Sequence, residues 1–150
     1  MKSKLKYAVL FLLLSNVLFA NTPGNFGLGI ILGEPTGLSL KVWQSDYVAY
    51  DAALAWSFGE KGNVHIHIDY LLHNYKIIRT DNSYTPIYYG IGGRIQTKDE
   101  AALGVRIPVG INFRSRRIPI DIFLEIVPTL NIIPKTEFDL EGGIGARYYF

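Results

Sequence analysis

His65, His67 and Asp69 stand at alternate positions of one extended segment, 63–74, so their side chains fall on one face. Two imidazoles and a carboxylate are a ligand set that zinc and related divalent ions accept, provided a neighbouring strand adds to it. Same-face neighbours on a strand lie about 6.6 Å apart, so the two rings would have to lean together. The same residues serve equally as histidines hydrogen-bonded to carboxylates in an enclosed polar space, and this is the expectation: no metal and no cofactor. Ser57 precedes His65 by eight positions, and serine, histidine and an acid can build a nucleophile with its base. No Gly-x-Ser-x-Gly elbow accompanies it, and catalysis is not expected. The runs Gly90 to Gly93 and Gly142 to Gly145 open no helix, so they are not phosphate cradles but places where a strand is thinned for packing.

A larger charged set shares the phase of the histidines. Lys41, Arg94, Arg106, Arg114 and Arg147 oppose Asp51, Asp69, Asp121, Glu125, Asp139 and Glu141, so that the two signs nearly cancel. Ions withdrawn from water cost several kcal/mol unless partnered, which predicts a network of ion pairs filling whatever space these residues face.

The elements that carry this set are strands. Period-two alternation recurs along the chain, interrupted by short clusters of Gly, Pro, Asn, Asp and Lys, and helical periodicity is missing. Eight antiparallel strands are expected, at about 25–33, 36–43, 47–58, 63–74, 85–96, 101–113, 118–130 and 137–150. Before them, Lys2, Lys4 and Lys6, an apolar stretch from Tyr7 to Phe19 and a small residue at Ala20 read as a cleavable signal peptide over 1–20, leaving 21–150 as one domain. The formal charge of +2 is misleading on this reading. Fifteen basic residues less the three leader lysines leave 12 against 13 acidic, a net −1 with scattered basic residues, which excludes a nucleic-acid binder. Zero cysteines exclude a disulfide scaffold and a thiol nucleophile. No later run of 18 apolar residues offers a membrane-spanning helix.

Charged residues make up only 19% of the chain against 49% hydrophobic, thin for a soluble surface. The faces of the strands explain why. Val64, Ile66, Ile68 and Tyr70 oppose the histidine face, Leu103, Val105, Ile107, Val109 and Ile111 oppose Arg106, and Ile118, Ile120, Ile122, Leu124 and Ile126 oppose Asp121 and Glu125. A closed sheet of eight strands encloses barely enough room for its own side chains, and this bulky set exceeds it. The apolar face is therefore expected outside, against lipid, with the Gly-, Ala- and Ser-rich charged face inside. Aromatic spacing agrees. Tyr50 and Trp56 with Phe58, or Phe138 and Tyr148, are separated by rises of roughly 20 to 25 Å, close to the apolar band of a membrane barrel.

The last strand, Phe138 to Phe150, places Ile144, Ala146, Tyr148 and Phe150 on one face. It resembles the C-terminal signal read by the barrel assembly machinery of the outer membrane. Phe26-Gly27-Leu28-Gly29, Gly37 to Trp43, Gly90 to Arg94 and Leu103 to Gly110 likewise resemble a family of uncharacterised outer-membrane proteins of diderm bacteria, similar to small OmpA/OmpX-like barrels. The resemblance implies an eight-stranded up-and-down transmembrane β-barrel, monomeric in outer-membrane lipid, with both termini in the periplasm. The connections Glu34-Pro35, Gly59 to Asn63, Thr97 to Glu100 and Asn131 to Thr136 would then face outward, and the longest, Tyr75 to Tyr84, the periplasm. The role expected is structural or surface-interacting, with the interior plugged by its charges. A small ion or solute channel is the alternative, and a lipid-modifying enzyme a third reading.

Overall fold

The computed structural model describes residues 24–34, 36–57, 63–78, 83–97 and 100–150. The leader expected over 1–20 lies outside the described residues. Among these residues the chain is all-β, with no helix. Ten strands follow in order: β1 (Phe26–Glu34), β2 (Gly37–Trp43), β3 (Val48–Ser57), β4 (Asn63–Asn74), β5 (Ser83–Tyr84), β6 (Ile87–Thr97), β7 (Ala101–Arg106), β8 (Val109–Ser115), β9 (Ile120–Ile133) and β10 (Glu137–Tyr149).

Every pairing is antiparallel, and the sheet closes on itself. β10 pairs with β1, the order runs on through β2, β3, β4 and β6 to β7 and β9, and β9 returns to β10. β8 bridges the same two neighbours as β7, β6 and β9, so β7 and β8 together make one of eight staves.

The expectation of one uninterrupted strand over 101–113 needs correction: regular pairing stops at Ile107 and Pro108. The cause is the missing donor of proline. Pro108 cannot donate to β6, and Pro128, across from Ile107, cannot donate back from β9. The ladder survives through the bonds that remain, Ile107 N–H to Pro128 O at 2.9 Å and Gly90 N–H to Pro108 O at 3.0 Å. The inward-outward alternation passes through both residues unbroken. A second difference is β5, a two-residue strand that pairs with Arg114 and Ser115 of β8 and ties the long 75–86 connection to the end of the sheet holding Phe150.

Side-chain volume decides what the closed sheet can contain. Ile31, Leu71, Tyr88 and Phe123 form one buried apolar group and Trp43, Ala49 and Tyr149 another. Their rings fit because glycine faces them. A Cβ on Gly110 would come within 2.5 Å of the Tyr88 ring, one on Gly27 within 2.7 Å of Tyr149, and one on Gly145 would enter Phe123. These three glycines thus thin the wall where an aromatic side chain crosses the interior.

Candidate functional site: a charged interior with two mouths

The strands turn every residue of the expected charged set inward. Arg106 and Asp69 are 0% and 1% exposed, whereas Ile66, Val105 and Ile122 are 45%, 37% and 48% exposed. Alternation along β4, β7, β8 and β9 produces this split, since consecutive side chains leave opposite faces of the sheet.

Arg106 sits at the hub. Its Nε lies 3.0 Å from Asp69 Oδ1, and its terminal nitrogens reach Glu125 at 3.8 Å and Glu141 at 3.5 Å. The same guanidinium donates to His67 Nδ1 at 2.7 Å. Toward the Phe150 end, Arg147 donates to Ser39 Oγ at 2.9 Å, faces Asp51 and Asp121 at 3.4 and 3.5 Å, and stacks over Phe123. Tyr149 O–H donates to Asp121 at 2.5 Å, and Tyr88 O–H to Glu125 at 2.8 Å. Lys41 is held differently: Nζ donates to His73 Nε2 at 2.9 Å and lies over the rings of Trp43 and Tyr88. His73 Nδ1 donates to the Tyr47 carbonyl, so this histidine is a neutral relay with one donor and one acceptor. Planar guanidinium forks satisfy several carboxylates at once, which explains why arginine dominates the basic side.

Toward the opposite end Arg94 binds Glu141, Asp139 and the side-chain Oδ1 of Asn131, the last at 2.9 Å from Nη2. These residues floor a funnel of about 760 Å³ that opens between Glu34, Trp56, Gln96 and Glu137. The opposite mouth holds a second cavity of about 630 Å³, lined by Asp46, Tyr47, Tyr75, Tyr84, Arg114, Ser115 and Arg116. Between the two, Arg106, Tyr88, Lys41, Phe123 and Leu71 are fully buried and fill the middle.

The metal candidate changes membership. Asp51, His67 and Asp69, not His65, bring ligand atoms within 4.8 Å of one another. Asp51 enters because β3 and β4 pair it directly with Asp69. His65 is drawn off toward Arg106 and Glu141, with Nδ1 3.8 Å from Glu141. The tautomer argues against a metal here. Arg106 donates to His67 Nδ1, which leaves the ring proton on Nε2, the nitrogen facing Asp69 at 3.7 Å. Nε2–H is then a donor toward the carboxylates and not a ligand. The Ser57 side chain, named above as a nucleophile candidate, lies outside the described residues.

Tyr88, Tyr149, Ser39 and Asn131 are interior partners that residue type alone does not single out, because aromatic and small polar residues suit either face. Parity does find them: Tyr88 shares the phase of Arg94, Tyr149 that of Arg147, and Asn131 that of Glu125. In the mouth, burial pushes the Tyr75 phenol up to about 12, so its hydroxyl stays protonated and able to donate.

No family profile, curated protein or solved structure matches the chain.

Proposed function

We propose that this chain is an integral outer-membrane β-barrel with a structural or surface-interacting role, its interior plugged by the Arg106, Arg147 and Arg94 networks. One observation carries the reading: the bulky aliphatic residues of the closed sheet point out and its ions point in. Water would reward the reverse arrangement, whereas hydrocarbon rewards this one. Among the described residues the ring of eight staves has no free edge, so its backbone groups are satisfied without solvent, and only the two-residue β5 at one mouth lies outside it. The outward aromatics Tyr50, Tyr70, Tyr148 and Phe150 gather toward one end and Trp56 and Phe138 toward the other, consistent with interfacial girdles. Fully buried side chains across the middle favour a plug over an open pore.

The test uses the two tryptophans, one facing each way. Refolded into vesicles whose acyl chains carry bromine, a Trp43→Phe variant that keeps outward Trp56 loses emission to the lipid, while a Trp56→Phe variant that keeps inward Trp43 is quenched far less. Equal quenching of both, or of neither, sinks the membrane reading. Planar-bilayer recording then addresses the plug: discrete conductance steps that disappear when Arg106 or Glu125 is neutralised would replace it with a channel.

A further inference from the structure

The mouth beside Phe150 gathers side-chain donors among its described residues. Arg114 and Arg116 both line the cavity, and among the described residues neither has a carboxylate within salt-bridge distance. Each guanidinium is instead laid on an aromatic face, Arg116 on Tyr84 at 4.3 Å and Arg114 on Tyr149 at 4.9 Å. Stacking fixes the plane of the guanidinium and leaves its edge N–H groups for a ligand, with one Arg114 nitrogen reaching the Gly24 carbonyl at 3.3 Å. Ser115 Oγ already accepts the N–H groups of Arg117 and Ile118, so its own proton is free to donate. Among the described lining residues Asp46 is the one acid, set against the two arginines.

The walls are aromatic. Tyr47 and Tyr75 meet edge to face at 5.9 Å, and Tyr75 meets Tyr84 at 6.3 Å. A volume of about 630 Å³ suits a small organic molecule. Two guanidiniums carry two positive charges, which one phosphate monoester, at about −1.5 to −2, matches and one carboxylate does not.

We propose that this mouth binds a phosphate ester, its phosphate held by Arg114, Arg116 and Ser115 and its organic part packed against Tyr47, Tyr75 and Tyr84. The site follows from the side chains gathered at this mouth and stands apart from the membrane reading. A free sugar phosphate and a phospholipid whose headgroup is a phosphate monoester both present this chemistry.

The experiment takes the full chain carrying Trp56→Phe, refolded in an amine-oxide detergent that contains neither sugar nor phosphate. Trp43, buried beneath Arg114, then reports by its emission, and titration calorimetry gives a second readout independent of it. Glucose 6-phosphate is expected to bind saturably while glucose is silent, and Arg116→Gln, a change at an exposed side chain, to weaken binding about tenfold or more. Saturation by phosphatidic acid in mixed micelles with glucose 6-phosphate silent, again lost in Arg116→Gln, supports the same site with the lipid headgroup as its source. Binding of neither probe, or binding indifferent to Arg116→Gln, overturns the proposal. So does inorganic phosphate binding as tightly as glucose 6-phosphate, because the tyrosine wall would then contribute nothing.

Discussion

Arg106 Nε on β7 lies 3.0 Å from Asp69 Oδ1 on β4, reaching across Gly92 of the intervening β6, and both side chains are wholly removed from solvent. Such a pair contributes little net stability compared with apolar residues of the same shape, because desolvation offsets the attraction. What it does is make each member indispensable to the other. Asp69, Glu125 and Glu141 all face one guanidinium, with Arg94 also on Glu141 and Tyr88 also on Glu125, so the hub is more sensitive to losing Arg106 than to losing any single acid.

Arg106→Met is therefore expected to destabilise the fold by about 3–5 kcal/mol, the usual cost of stranding a buried partner. Asp69→Leu alone should cost less, since Arg106 keeps two other carboxylates. In the double variant the losses should not add. Urea unfolding of all four proteins in vesicles closes the cycle, and strict additivity would show that the two side chains do not interact.

Tyr88 tests the neutral part of the network. Its hydroxyl donates to Glu125 at 2.8 Å in a space that water does not reach. Tyr88→Phe keeps the ring against Leu71 and Phe123 and removes only that donor. The expected loss is about 1–3 kcal/mol, the cost of leaving a buried acceptor short of a partner. Equilibrium unfolding measures it, and an unchanged midpoint would mean that Glu125 is satisfied by Arg106 alone.

Strand phase is what made this interior legible beforehand. Arg106 and Asp69 could be placed inside from sequence because each stands in a long alternating run whose other face is Ile, Leu and Val. The interruption at Ile107 and Pro108 was hidden by the same regularity, since a proline inside a strand leaves the side-chain alternation intact and removes only a backbone donor. The replacement of His65 by Asp51 in the His67 and Asp69 group depends on the register between β3 and β4, which no single strand encodes. Arg114 was legible as inward-facing, but not its stacking on Tyr149. The cavity it lines is assembled from four separate connections and strand ends.

Glycine positions make a volumetric prediction. Gly110 faces the Tyr88 ring so closely that a methyl group there would meet it at 2.5 Å, with the Leu124 carbonyl at the same distance. Gly110→Ala should cost about 1–3 kcal/mol by overpacking. Pairing it with Tyr88→Leu relieves the side-chain clash but not the backbone one, so rescue should be partial. Thermal melting in detergent reads both variants, and a neutral Gly110→Ala would mean that the wall at β8 yields more than a closed sheet should allow.

The outward face gives a prediction whose sign depends on the surrounding medium. Ile68, halfway along β4, is 59% exposed, and Ile126 on β9 is 58% exposed. Neither supports the interior, so on a water-facing surface Ile68→Arg or Ile126→Arg would change stability by no more than about 0.5 kcal/mol. Near the centre of a bilayer the same substitutions cost about 2–4 kcal/mol. Thr36→Arg, in the β1–β2 turn where Thr36 exchanges hydrogen bonds with the Gly33 backbone, probes the headgroup level instead, and its lost hydroxyl should cost only about 1 kcal/mol in either medium. Folding free energies of the three variants, measured in vesicles against the parent chain, should therefore fall steeply for the two mid-strand positions and only slightly for the turn. A flat response at Ile68 and Ile126 would place that face in water and return the aliphatic surface to some other partner.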